Sequence, residues 1–140
     1  MISSVSIFPH YLAYFNELAG GPKNGYKFLV DSNLDWGQDL KGLKRYMDKH
    51  RIKRVWFSYF GTASPDYHGI DYNYLPSYAI FNTKRERIPT PFVAISATNL
   101  QGLHLMPGLG IDANYFSALR QKKPLAQIGY TIFIYKFEQE

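Results

Sequence analysis

The fold class the sequence predicts is α/β: a small three-layer domain, a mostly parallel sheet with helices on both faces and an antiparallel addition at its edge. Three observations point there. Short apolar runs rich in β-branched and aromatic residues recur at residues 26–30 (YKFLV), 54–59 (RVWFSY), 92–97 (FVAISA) and 127–137 (QIGYTIFIYKF). Between the first two lies a helical pattern, and the whole unit has the length that a parallel strand–helix–strand crossover needs. The first three runs each lead straight into polar or conformationally special residues, as strands do where they end at a ligand-binding edge.

Composition narrows the class further. A chain of 140 residues fits one core, and 46% hydrophobic with 19% charged residues excludes a disordered, acidic or coiled-coil protein. The absence of cysteine excludes a disulfide framework, a thiol nucleophile and a Cys-ligated zinc. Sixteen Lys and Arg stand against 11 Asp and Glu, a net charge of +5. Along the chain these bases interleave with acids, so a nucleic-acid partner is not expected. No apolar run approaches the roughly 18 residues of a spanning helix, and the first residues lack the features of a signal peptide.

The elements follow in order. Residues 9–19 form a helix with Pro9 in its first turn and a stop at Gly20-Gly21-Pro22. Its apolar, Tyr-rich face (Tyr11, Leu12, Tyr14, Phe15, Leu18) either packs on the core or lies against a bilayer, since Tyr favours membrane–water boundaries. Residues 1–22 are set apart as an N-terminal aromatic helix, either core-packed or membrane-proximal, and residues 23–140 as a single α/β domain. After the strand at 26–30, Asp35 is placed as the N-cap of a helix, with Gln38 as the returning half of a capping box. Leu40, Leu43 and Met47 share that helix's buried face. The segment 64–91 has no clear periodicity; a brief strand is expected at 78–81, and the Tyr67–Tyr72 stretch reads as a lid or a pinned loop. A second helix is expected over 112–120, capped by Asp112. The terminal run 127–137 is expected as one well-covered strand, because both of its alternating faces are apolar.

If the strands are parallel, their polar sequels meet at one edge. Asp31, Asn33, Asp35, Trp36 and Gln38 come from the first, Tyr59 from the second, Thr98 and Asn99 from the third. Asp31 and Asp35 suit acid–base work or a divalent cation, or alternatively a helix cap and loop amides. Trp36 beside Asn33, Asp35 and Gln38 suits a sugar platform, or an anchor of helix to sheet. Four scattered histidines give no metal-ligand spacing, and no nucleophile elbow, P-loop or dinucleotide fingerprint is present. No catalytic residue, metal or cofactor is assigned on these grounds.

The segments PHYLAYFNELAGGP (9–22), LVDSNLDWGQDL (29–40), AISATNLQG (94–102) and PLAQIGYTIFIYKF (124–137) resemble the C-terminal soluble region of a bacterial enzyme family. These are membrane glycosyltransferases related to dolichyl-phosphate-mannose-protein mannosyltransferases (family 39), which use polyprenyl-phosphate-linked sugars. The resemblance covers nearly the whole chain and is weakest over 64–91. It implies an extracytoplasmic domain, partnered by the membrane half of the same polypeptide and in reach of lipid-linked sugar or an anionic membrane surface. The family's catalytic carboxylate lies in the membrane half and has no counterpart here, so the implied role is non-catalytic and accessory. Two other functions compete: a stand-alone enzyme using Asp31 and Asp35 on a sugar or phosphate ester, and a structural docking module.

Overall fold

The computed structural model describes residues 38–77, 86–102 and 112–138. Within them the chain forms α1 (Leu40–Lys49), β1 (Val55–Ser58), β2 (Tyr72–Tyr74), β3 (Phe92–Ser96), α2 (Ala97–Leu100), α3 (Ser117–Arg120), β4 (Ala126–Ile128) and β5 (Ile132–Lys136). The strands make one sheet in the order β2-β1-β3-β5-β4. β1 lies parallel to both β2 and β3, whereas β5 runs antiparallel to β3 and to β4. Every described strand except β5 therefore points the same way, which is the mixed, mostly parallel α/β sheet expected.

Helices cover both faces. The period-3.6 spacing of Leu40, Leu43 and Met47 puts all three on the underside of α1, where they pack on Val55, Phe57, Ala94, Ile132 and Ile134. The alternate residues Val93, Ile95, Phe133 and Tyr135 point to the other face and meet Leu100, Phe116 and Leu119 from α2 and α3. Gly42 lets α1 approach the hairpin closely, since a methyl group there would stand 2.7 Å from the Ile128 side chain.

Four expectations are corrected. The helix begins at Leu40, so Gln38 and Asp39 lie in the turn before it and Gln38 cannot close a capping box. The acid at the cap position is Asp39, and it makes no cap bond because its carboxylate is bound by Thr131 across the domain. The expected helix over 112–120 is helical only at its end. Asp112 instead accepts hydrogen bonds from the Asn114 and Tyr115 amides, forming a turn. The terminal run folds into a hairpin, with Gly129 and Tyr130 both at positive φ (54° and 72°) and the Thr131 amide donating to the Ile128 carbonyl. β5 alone is the well-covered strand. Finally, the segment after Tyr67 is no lid over the carboxyl edge. It leads into the start of β2, where Val55 bonds Asp71, at the opposite edge of the sheet. The expected helix at 9–19 and the expected strands at 26–30 and 78–81 lie outside the described residues.

β2 went unread in the sequence, and its outer side shows how so short a strand is held. The Asn73 side chain grips one backbone unit, its Nδ2 donating to the Ile88 carbonyl (2.6 Å) and its Oδ1 accepting from the Ile88 amide (3.0 Å). Arg54 bonds Asp71 through Nε (2.9 Å) and the Glu86 carbonyl through Nη1 (3.0 Å), completing the clasp. Asn73→Ala should lower stability by about 1–2 kcal/mol, two modest bonds partly replaced by water. Amide hydrogen exchange at Ile88 should quicken in that variant, and unchanged protection there would show the clasp to be unimportant.

Candidate functional site

Because β1, β2, β3 and β4 share one direction, their carboxyl ends lie at a common edge with the start of β5. There the ladder between β1 and β3 gives way to side-chain bonds. The Tyr59 amide donates to Ser77 Oγ (2.9 Å) and the Phe60 amide to Ser96 Oγ (3.0 Å), so hydroxyls from both neighbours hold the chain leaving β1. Ser58 Oγ donates to the Pro76 carbonyl and accepts from Asn99 Nδ2 (2.9 Å). This fixes the Asn99 amide with nitrogen toward Ser58 and leaves its Oδ1 buried, with no donor in reach among the described residues. Such an acceptor is unfavourable unless something supplies a proton to it.

On the other side of the edge, Thr131 Oγ1 donates to Asp39 Oδ2 at 2.6 Å, both residues being buried. Gly129 packs directly on that carboxylate: an added Cβ would lie 2.0 Å from Asp39 Oδ1. Asp39 therefore fastens the start of α1 to the hairpin turn. Sequence reasoning missed it among the acids of its segment, because its partner is 92 residues away.

The expected site residues are distributed as follows. Tyr59, Thr98 and Asn99 do converge at this edge, but as its fully buried floor. The Tyr59 ring turns under the sheet to stack on Phe57, with centroids 5.4 Å apart. Gln38 is exposed and, as the neighbour of Asp39, stands at the same edge. Asp31, Asn33, Asp35 and Trp36 lie outside the described residues. Ser58 and Ser96 are not among the residues the sequence assigns to the site, and Ser77 carries no sequence signal, since nothing marks β2.

Chemically, the described floor around Ser58 and Asn99 is a set of hydroxyls and amides, and the one carboxylate described at this edge, Asp39, is taken up by Thr131. Ser58 faces an amide and a carbonyl, neither of which accepts a proton in a reaction. No cluster of three His, Asp or Glu residues suited to a metal occurs among the described residues. No helix among them is long and apolar enough to cross a membrane. Comparisons with protein-family models, with curated proteins and with solved structures find no match for this chain.

Proposed function

We propose that the chain is a non-catalytic recognition domain of a polyprenyl-phosphate-sugar-dependent membrane glycosyltransferase, working beside the membrane half of that enzyme on its extracytoplasmic side. The observation that carries the proposal is Asn99. Its Oδ1 is a buried acceptor held ready by Ser58, at an edge where the neighbouring hydroxyls of Ser58, Ser77 and Ser96 are engaged. A sugar hydroxyl is the kind of donor that such an oxygen accepts, and because Asn99 is fully buried it reaches the oxygen only when the cover over this edge opens. Three of the segments carrying the resemblance also meet here. Asp39 belongs to LVDSNLDWGQDL, Asn99 to AISATNLQG, and Gly129 and Thr131 to PLAQIGYTIFIYKF. Trp36, with Asn33, Asp35 and Gln38, supplies the apolar platform in this reading, and Asp31 borders it.

The test is a titration with a short-chain polyprenyl-phosphate-linked sugar in neutral detergent, followed by tryptophan fluorescence and calorimetry. Trp36→Ala and Asn99→Leu should each weaken binding by about tenfold, the worth of one well-placed contact. Binding that survives both changes undiminished would refute the site. Turnover of a sugar phosphate that Asp35→Asn abolishes would replace the proposal with the enzyme reading.

A further inference from the structure

Sixteen basic and 11 acidic residues give the chain its net charge of +5. Residues 41–53 alone hold six of the basic residues and one acid, leaving ten of each elsewhere. The whole excess charge of the protein is therefore concentrated in α1 and the turn after it. Along the sequence these bases interleave with other residues, but the helix sorts them. Lys41, Arg45 and Lys49 recur at every fourth position and form a single exposed stripe. Arg51 and Lys53 extend the charge on the other flank, where Lys44 is neutralised by Asp48.

This arrangement works against the helix itself. Like charges one turn apart repel, and Lys41 sits in a first turn that holds no acid, at the positive end of the helix dipole. None of the five unneutralised cations bonds a carboxylate among the described residues. Each flank is also concave. Arg45 and Lys49 line a groove of about 310 Å³ with Gly42, Gln127 and Gly129, and Arg51 and Lys53 line one of about 520 Å³ with Gly69 and the Lys44–Asp48 pair, in which three cations outnumber the one acid. Tyr46, whose phenol burial raises above its ordinary value, lines the first groove between these cations.

We infer that the outer face of α1 is a docking surface for an anionic phospholipid bilayer, whose headgroup phosphates seat in the two flanking grooves. The inference rests on the membrane-associated function proposed above, which favours a bilayer over a nucleic acid as the polyanion. Three cations in a stripe on one short helix and two in the turn after it match a surface of closely spaced phosphates, and no described acid lies on the stripe itself.

The full chain should sediment with phosphatidylcholine vesicles containing phosphatidylglycerol and not with phosphatidylcholine alone, and high salt should release it. Arg45→Gln with Lys49→Gln should lower partitioning by about 25-fold, at about fivefold per charge. Lys122→Gln with Lys123→Gln, removing equal charge away from α1, should leave it unchanged. Failure to sediment at low salt would overturn the inference. So would an equal loss in both double variants, or binding to a duplex or single-stranded oligonucleotide with none to vesicles. The vesicles contain no carrier-linked sugar, and the titration reads losses at Trp36 and Asn99 rather than at Arg45 and Lys49, so either proposal can fail while the other stands.

Discussion

Gly129→Ala is expected to destabilise the domain by about 3 kcal/mol or more, enough to lower the melting temperature by about 10 °C. Two independent effects add. Gly129 has a φ of 54°, a conformation that alanine adopts only with strain, worth about 1–2 kcal/mol. The new methyl carbon would also stand 2.0 Å from Asp39 Oδ1, inside a buried carboxylate held by Thr131. Either the turn or α1 must move, and overpacking of this kind typically adds about 1–3 kcal/mol. A double-mutant cycle separates the two effects. Asp39→Ala alone should cost about 2 kcal/mol, because the buried Thr131 hydroxyl loses its acceptor. In that background Gly129→Ala should cost only the backbone strain, so the two substitutions couple by more than about 1 kcal/mol. Simple additivity in urea unfolding would mean that Gly129 and Asp39 do not touch.

The same contact explains why parts of the fold were legible in the sequence and others were not. Local periodicity reads burial well where a long element has one wet face. Leu40, Leu43 and Met47 declared α1, and the apolar runs at β1 and β3 declared the strands between the two helical layers. It fails where the deciding partner is remote. Nothing near Asp39 indicates Thr131, so the start of α1 was placed too early. The hairpin was hidden for a different reason. Alternation of apolar residues continues through Gly129 and Tyr130, and Tyr130 occupies positive φ while packing on the second core cluster, so no polar turn residue marks the break. β2 escaped because three residues carry too little pattern, and its stability comes from Asn73 and Arg54 gripping distant backbone.

For the candidate site, the position was legible and the burial was not. Strand ends predict an edge, and Tyr59, Thr98 and Asn99 lie there. Whether a polar residue faces solvent or forms the floor depends on what covers it, which alternation along a single strand does not state. The basic stripe of α1 shows the converse. Charges that look dispersed in one dimension collect on a face once a 3.6-residue period is imposed.

Ser58→Ala should be the other large loss, about 3 kcal/mol, although it deletes a single oxygen. That oxygen is fully buried in a central strand and serves two partners, donating to the Pro76 carbonyl and accepting from Asn99 Nδ2. Removing it strands both, and leaving buried polar groups unbonded costs about 1–3 kcal/mol each. Asn99 would then be unbonded at both ends of its amide, since its Oδ1 already lacks a donor. A second change tests the account. Adding Asn99→Leu to Ser58→Ala removes the stranded amide, so the double variant should be more stable than Ser58→Ala alone by about 1 kcal/mol or more. The effect on recognition should run the opposite way. Ser58 orients Asn99, and without it the amide is free to turn, so Ser58→Ala should weaken sugar-lipid binding and the double variant should not restore it. Recovery of stability without recovery of binding would separate the scaffold role of this network from its proposed role in recognition. A loss in Ser58→Ala below about 0.5 kcal/mol would instead show that water replaces the hydroxyl, leaving Asn99 without the support on which its orientation depends.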